Sequence, residues 1–324
     1  MTKSRKVYIF KVCSSSTIGS GHVYRCLKIA KKLKKSDVFF LSNNFKNNFN
    51  YLFKDFNYKI LNNSENNFSH VRDLEDTISF LKKIKKEKIL IVDNYVNELN
   101  WQKKISKFVK KLVVFNDEIK NNYCDLYINE NYFIKKPNNK FFLKKNCKKL
   151  IGPKFVLINQ KKCISRKNKN NIFIFFGGYD KKKLSIKVIK KLKYFKNLNF
   201  YLILNDKKLI KKVNLLKIKS IKIFQPKVNF YNIISKCSFG IVSGGSIIWD
   251  LIFNSLPFIA IPVAKNQNQN LLNLKKNKQL NIYKNNINNE FPEYFLKCFN
   301  KKKVITKLVD GYGLNRVVNQ ITSL

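Results

Sequence analysis

The sequence predicts an α/β chain built as two doubly wound, Rossmann-like domains, and three observations carry that expectation. The chain has 324 residues, which at roughly 100–200 residues per domain makes two domains. Its apolar fraction is 44%, enough for each half to bury a core and too much for a disordered chain. In both halves short β-rich apolar runs alternate with Lys-rich helical patterns, the sign of parallel strands joined by crossover helices.

In the first half, strands are expected at Val7 to Cys13, Val38 to Ser42, Tyr58 to Leu61, Ile89 to Asp93, Leu112 to Phe115 and Leu126 to Ile128, with helices near 22–35, 71–86 and 98–110. In the second half, strands are expected at Asn171 to Phe176, Asn199 to Leu204, Ile221 to Phe224, Phe239 to Val242 and Phe258 to Ile261, with helices near 180–194, 206–213, 228–236 and 246–254. The polar stretches Lys135 to Lys149, which holds Pro137, and Gln160 to Asn170 have little periodicity, so the connection between the halves is expected there. The expected division is an N-terminal domain over 1–150, a C-terminal domain over 151–306, and a terminal helix over 307–324 that packs back on the N-terminal domain.

Charge and cysteine content exclude several classes. Lys plus Arg number 66 against 19 Asp plus Glu, a formal charge of +47. Such a charge suits an anionic polymer, yet the lysines are spread along the whole chain. Together with 45 Asn and only 3 Ala, they look like a compositional skew toward Lys, Asn, Ile and Phe. Nucleic acid is therefore not expected as a partner. The cysteines at 13, 26, 124, 147, 163, 237 and 298 include no CxxC pair, so neither a disulfide framework nor a zinc site is indicated and a reducing cytoplasm fits. The apolar stretch Phe239 to Ala264 contains tandem glycines, Asp250, Pro257 and Pro262, and reads as strand, loop, helix and strand in place of a membrane span.

In a chain so skewed, the residue types that the skew disfavours are informative. Eight of the 10 glycines form close pairs. Three pairs, Gly19 with Gly21, Gly177 with Gly178 and Gly244 with Gly245, fall between an expected strand and an expected helix. Open α/β sheets bind ligands beyond the carboxyl ends of their strands, where helix N-termini offer unpaired N–H groups to anions. A phosphate-bearing ligand fits. None of the three is GxGxxG or a P-loop, which disfavours a dinucleotide dehydrogenase or a Walker-type ATPase. His22 follows Gly21 at a helix start, where the dipole favours the neutral imidazole, a competent general base beside an anion. Arg25, one of five arginines, lies one turn further on the same face. Its planar fork suits a carboxylate or phosphate ligand, and a structural salt bridge accounts for it as well.

The segments carrying these residues resemble a known family. IGSGHVYRCLKIAKKL (Ile18 to Leu33), IVDNYVNELNW (Ile91 to Trp101), NYCDLYINEN (Asn122 to Asn131), LIGPKF (Leu150 to Phe155), IFIFFGGYD (Ile172 to Asp180), IVSGGSIIWD with LPFIAIPVAKNQ (Ile241 to Gln267) and DGYGLNRV (Asp310 to Val317) follow in order. They are similar to the signatures of the UDP-sugar hydrolases of pseudaminic acid biosynthesis, a family that looks like a reduced relative of the GT-B glycosyltransferases. The resemblance implies two Rossmann-like domains facing a cleft, with the sugar on the N-terminal domain and UDP on the C-terminal one. It implies a monomeric cytoplasmic enzyme acting on a UDP-sugar and water in the pathway to flagellin glycosylation. Tyr95, Asn266 and Gln267 match family positions that contact sugar or diphosphate, and Ser243 and Ser246 flank the Gly-Gly nucleotide loop. Three positions depart from the pattern. Cys13 stands for an Asp, Asn116 for an acidic pair, and Asp250, one methylene shorter, for the Glu that holds the ribose.

The expected chemistry follows from the leaving group. A nucleoside diphosphate departs as a stable anion, so a base for water and a positive cradle suffice, whereas an alkoxide would need an acid as well. No close pair of acidic residues stands out near the glycine loops. His22 supplies the base, and the N–H groups of Gly244, Gly245 and Ser246 supply the cradle. Direct attack by water inverts the anomeric centre. No cofactor and no metal are called for, since the sequence has no DxD-like cluster and no His or Cys grouping. A GT-B glycosyltransferase acting on a UDP-sugar is the alternative on the same fold, and a non-catalytic basic binding protein is the alternative of another class.

Overall fold

The computed structural model describes residues 6–135, 141–158, 161–163, 170–225, 229–278, 280–284 and 286–324. The chain forms two compact units, Met1–Asn159 with Tyr312–Leu324, and Gln160–Gly311. Unit 1 contains β1 (Lys6–Val12), α1 (Gly21–Ala30), β2 (Val38–Asn43), β3 (Asn57–Leu61), α2 (His70–Lys82), β4 (Glu87–Asp93), α3 (Leu99–Ile105), β5 (Lys111–Phe115), β6 (Leu126–Asn129) and β7 (Lys148–Ile151). Its strands form one parallel sheet in the order β3-β2-β1-β4-β5-β6-β7.

Unit 2 runs β8 (Asn171–Phe175), α4 (Leu184–Leu192), β9 (Asn199–Ile203), α5 (Lys207–Asn214), β10 (Ile221–Phe224), α6 (Phe230–Ile234), β11 (Phe239–Ser243), α7 (Ile247–Phe253), β12 (Phe258–Ile261), α8 (Gln267–Lys278), β13 (Asn281–Ile282) and α9 (Phe291–Lys301). Its sheet has the order β10-β9-β8-β11-β12-β13 and is likewise parallel. Both orders step outward from the first strand and then reverse, which puts a switch point beside β1 and beside β8, where such sheets bind ligands. The final helix, α10 (Gly313–Thr322), belongs to unit 1 and lies beside α1. No helix of the described residues is long and apolar enough to cross a membrane.

The strands form where apolar side chains can be buried on both faces, and their central residues are inaccessible: Ile9, Leu90 and Leu112 in unit 1, Ile172, Phe239 and Ile241 in unit 2. Every expected strand is present within two residues of its expected bounds. Several elements were not expected. β7 has the sequence KKLI with both lysines exposed, so an edge strand with one buried residue carries almost no apolar pattern. Its first two residues, Lys148 and Lys149, close the stretch read as a connection, whose end is thus sheet. Residues 136–140, with Pro137, and 164–169 are outside the described residues. α8 reads QNQNLLNLKKNK and buries Asn270 and Asn273 beside Leu271 and Leu274, so its polar letters conceal a helix. α9 places Pro292 in its first turn, where proline starts a helix instead of breaking one.

Among the lysines of the described residues, Lys11 is the buried exception. It sits in β1 with no exposure, and its Nζ donates to Asp73 Oδ1 at 2.7 Å and to Asn43 Oδ1 at 3.3 Å. Asp73 also accepts from Asn43 Nδ2 at 2.9 Å and from Asn97 Nδ2 at 2.9 Å. A buried ion pair is tolerated when every remaining lone pair is met in this way. Register sets its place. Lys11 pairs with Val92 while Val12 pairs with Asp93, so Lys11 faces the α2 side of the sheet and Asp93 the α1 side.

Candidate functional site

In unit 1, β1, β4, β5 and β6 end side by side, and the residues at or just after their ends converge on α1. After β1 the chain turns through Ser14–Ser20. Ser15 Oγ accepts the N–H groups of Thr17 and Ile18, each at 3.0 Å, and the Gly19 N–H donates to the Ser15 carbonyl at 2.8 Å. Gly19 has φ +87°, a left-handed conformation that favours glycine. Gly21 opens α1 with no neighbour within 4 Å of the position a Cβ would take, so the fold itself does not require glycine there. Ser20 makes no side-chain cap to α1, whereas Ser69 caps α2 through the Arg72 N–H.

The first turn of α1 carries His22, the next carries Arg25, and both reach Asp93 at the end of β4. His22 Nδ1 lies 2.5 Å from Asp93 Oδ1. Arg25 donates to the same carboxylate twice, Nη2 to Oδ1 at 2.6 Å and Nε to Oδ2 at 2.7 Å. Burial alone would raise the Asp93 carboxyl, but the Arg25 charge, then His22, hold it well below the usual carboxylate range. An ionised carboxylate only accepts, so the shared proton belongs to Nδ1, and the nitrogen that this tautomer offers as a base is Nε2. The approach of Arg25 Nη2 to His22 Nδ1 at 3.4 Å is then two donors converging on one oxygen. This is the arrangement by which a carboxylate fixes the tautomer and orientation of a basic histidine.

Arg25 joins three carboxylates. Its Nη1 donates to Asp117 Oδ1 at 2.8 Å and lies 3.6 Å from Glu130 Oε2, and its guanidinium stacks over the Phe115 ring at 4.9 Å. Desolvation disfavours its charge, yet Asp117 and then Asp93 raise its pKa well above the ordinary value. The sequence left a carboxylate, a phosphate and a salt bridge open for this fork, and in this structure it is taken up by carboxylates. Tyr95 packs its ring edge against His22, with centroids 4.6 Å apart, and its hydroxyl donates to Asp117 Oδ2 at 3.4 Å. Burial, then the charge of Asp117, keeps that phenol protonated. Glu130 is enclosed, with Oε1 accepting the Leu157 N–H at 3.1 Å. Burial pushes its carboxyl up to about 7 against the pull of Arg25 and with the push of Asp117.

Asp93, Asp117 and Glu130 are the residues that sequence reasoning missed, and they correct the reading that no close acidic pair stands near the glycine loops. They are far apart in sequence and become neighbours because parallel strands bring their carboxyl ends together. With only 19 acidic residues in the chain, three at or just after the ends of three adjacent strands were a detectable signal. Asp117 also resolves the departure at Asn116. The acidic group that engages Arg25 is one residue later, while Asn116 Nδ2 donates to Asn122 Oδ1 at 3.3 Å. Cys13, at the end of β1, has its buried thiol pushed up to about 11 by desolvation and accepts from Asn43 Nδ2 at 3.4 Å, so it offers no charge in place of an aspartate. Among the described residues no group of three His, Cys, Asp or Glu is arranged to hold a metal ion.

Unit 2 presents glycines and hydroxyls at the corresponding strand ends, and its two loops differ. Gly177 has φ +95°, and the following Asp180 accepts the Leu184 and Ser185 N–H groups at 2.9 and 2.7 Å. A side-chain carboxylate therefore occupies the start of α4, which makes the Gly177–Gly178 loop a poor anion cradle. After β11, Ser243, Gly244, Gly245 and Ser246 lead into α7, which has no side-chain cap. The Gly244 N–H donates to the Ile261 carbonyl at 3.2 Å, and a Cβ there would meet Leu271 Cδ1 at 2.5 Å. Gly244 is thus required by packing against α8, and its N–H is not offered to a ligand. Gly245 has room for a Cβ, its nearest neighbours being Gln267 Nε2 at 3.7 Å and Ser243 Oγ at 3.8 Å. Gln267 closes this corner, its Oε1 accepting the Val263 N–H at 2.9 Å, with half-buried Asn266 beside it in the chain. Asp250 Oδ1 accepts from the Tyr231 hydroxyl at 2.7 Å, which leaves Oδ2 for a further donor.

No protein-family model matches the chain. The chain is 28% identical over 271 residues to an uncharacterized protein of Methanocaldococcus jannaschii, a match covering 76% of this chain and 54% of that one, so it spans about half the length of that relative. It is 27% identical over 265 residues to the UDP-2,4-diacetamido-2,4,6-trideoxy-beta-L-altropyranose hydrolase of Campylobacter jejuni, covering 80% of this chain and 92% of that protein. Among solved structures it is similar to MurG of Acinetobacter baumannii, with a TM-score of 0.67 at 13% identity over 98% of this chain and 100% of that one. It is also similar to HepE of Anabaena in complex with UDP and glucose, with a TM-score of 0.59 at 12% identity over 98% and 99% of the two chains. At these identities the structural likeness speaks for the fold, two parallel-sheet α/β domains of the GT-B type.

Proposed function

We propose that this chain is a UDP-sugar hydrolase that cleaves the bond between the anomeric carbon and the diphosphate of a UDP-linked diacetamido-trideoxyhexose, giving free sugar and UDP with inversion. The observation that carries the reading is the His22–Asp93 pair locked by Arg25, on a chain 27% identical over 80% of its length to the curated Campylobacter jejuni hydrolase. His22 Nε2 takes a proton from water as that water attacks the anomeric carbon. Asp93 stabilises the imidazolium that forms, as a buried carboxylate does for a basic histidine. Arg25 and Asp117 hold Asp93 and Tyr95 in place, and Tyr95 is assigned to the sugar.

The departing diphosphate is assigned to the N–H groups of Gly245 and Ser246 and the start of α7, with Gln267 and Asn266 alongside and Asp250 toward the ribose. Gly19 and Gly21 leave the approach to His22 open for the sugar. No metal takes part in this scheme. Its place is the cytoplasmic, pseudaminic-type branch of nonulosonic acid biosynthesis, with the chain acting as a monomer. Mass spectrometry of products from a panel of UDP-diacetamido sugars, supplied with no acceptor, tests the reading. Free sugar plus UDP from one member supports hydrolysis, and an intact panel that turns over only when an acceptor is added makes the chain a glycosyltransferase.

A further inference from the structure

Two of the cysteines that the site does not use meet at the far end of the β6–β7 pair. Cys124 lies just before β6 and Cys147 just before β7, and the register Leu126↔Lys148 sets the two strand starts side by side. The Asp125 carbonyl accepts the Lys148 N–H at 2.9 Å and ties the two chain segments together. The two sulfurs are 3.7 Å apart, against a bond length of about 2.05 Å. The remaining approach is small, and the local backbone can supply it. Cys147 ends a turn in which its own N–H donates to the Lys144 carbonyl at 3.0 Å and Asn146 takes φ +66°. It also leads into the edge strand of the sheet, which has one neighbour to disturb.

The two thiols are unequal in a useful way. Cys124 is fully buried, while Cys147 is half-buried and reachable from solvent. The two thiols share one hydrogen bond in which either sulfur can donate, and this contact lowers the Cys147 thiol against the opposing effect of its own partial burial and, with burial, pushes Cys124 up. An accessible attacking sulfur beside a buried resolving one is the pattern of a reactive dithiol. Elsewhere the features differ. Cys13, Cys26 and Cys237 are buried, and Cys163, also part-exposed, has its sulfur 4.0 Å from the Lys161 carbonyl oxygen.

We propose that Cys124 and Cys147 are a redox-reactive pair that a low-molecular-weight disulfide converts to an intramolecular disulfide. The Cys147 thiolate attacks one sulfur of glutathione disulfide, forming a Cys147–glutathione mixed disulfide and releasing one glutathione thiolate. Cys124 then gives up its proton and attacks the Cys147 sulfur, forming the Cys124–Cys147 bond and expelling the second glutathione. Two electrons pass from the pair to the oxidant, and the two protons end on the two glutathione molecules. The new bond closes a loop of about two dozen residues and fixes the start of β6, the strand after which Glu130 lies. Closing such a loop raises the thermal midpoint by about 5–10 °C.

The test incubates the whole chain with glutathione disulfide near neutral pH and reads intact mass, peptide map and thermal midpoint. The proposal expects loss of two hydrogens, a Cys124–Cys147 cross-linked peptide, and a raised midpoint that a reductant reverses. Cys124→Ala should instead trap one glutathione on Cys147, and Cys147→Ser should do neither. Should Cys124→Ala fail to fold, Cys147→Ser, altered at the less buried member of the pair, carries the control. A wild-type chain that keeps a stable glutathione adduct without cross-linking, that cross-links only after unfolding, or whose loss of two hydrogens persists in Cys147→Ser would overturn the proposal.

Discussion

The strand ends of unit 1 and unit 2 share a topology and differ in chemistry. In unit 1 they and the facing residues of α1 hold His22, Arg25, Asp93, Asp117 and Glu130, a dense set of ionisable groups joined by hydrogen bonds and ion pairs. In unit 2 the loop after β11 holds Ser243, Gly244, Gly245 and Ser246, with backbone and hydroxyl groups in place of charges, whereas after Gly177 and Gly178 the Asp180 carboxylate occupies the start of α4. On the proposed reading, the first sheet moves protons and the second receives an anion. A charged network preorganises a base, because each group sets its neighbour's protonation state. A glycine loop before a helix does no proton chemistry and can accept phosphate.

The sharpest way to break the contrast is to remove the base. His22→Asn or His22→Gln should leave UDP binding largely intact and lower turnover by about 10²-fold or more. Asp93→Asn should cost at least as much, since it also releases Arg25 and frees the imidazole tautomer. Single-turnover rates together with UDP titrations of each variant make the check. Near-normal turnover in the His22 variants would remove that residue from the mechanism.

A smaller effect is expected on the other side. Gly245→Val should weaken UDP binding about 10-fold or more with little loss of fold, because the structure has room for a Cβ at 245 and a ligand phosphate needs that room. Gly244→Val is the contrasting case. Its side chain would strike Leu271, so it should lower the thermal midpoint. A UDP-induced thermal shift that is the same in Gly245→Val and the native chain would count against the loop.

The third test concerns pH. The Glu130 carboxyl is raised to about 7 in the folded chain from an ordinary 4.5, so between those values the folded state holds a proton that the unfolded state lacks. Its contribution to stability is present below the ordinary value and disappears as pH rises through about 7, an effect on the order of 3 kcal/mol. Glu130→Gln keeps an oxygen for the Leu157 N–H and should abolish that fall. Its thermal midpoint should then exceed that of the native chain at pH 8 and approach it at pH 5. Parallel midpoints for the two chains across this range would rule out the raised carboxyl. The smallest effect is the one expected of EDTA, which should leave turnover unchanged. Loss in EDTA with recovery on adding Mg²⁺ or Mn²⁺ would favour a metal-assisted transferase.

How much of this was legible in the sequence follows from the range over which each feature is encoded. The strands were legible because burial on both faces writes continuous apolar runs, and the glycine pairs because glycine is scarce in this chain. His22 and Arg25 were legible because one helical turn separates them. The acids were legible only as scarce residues at or just after strand ends, since Asp93, Asp117 and Glu130 meet through sheet order, which a local pattern does not carry. β7 and α8 were hidden by exposed lysines and buried asparagines. Lys11 was hidden by its abundance, one buried lysine among many solvated ones.

The central claim, that His22 directs water to the anomeric carbon, is tested most directly by running one turnover in ¹⁸O-labelled water and locating the label by mass spectrometry. The account predicts the label on the anomeric oxygen of the released sugar, with UDP unlabelled. Label in the phosphate of UDP would mean that water attacks phosphorus, and the assignment of His22 and of the Gly245 loop would both be wrong.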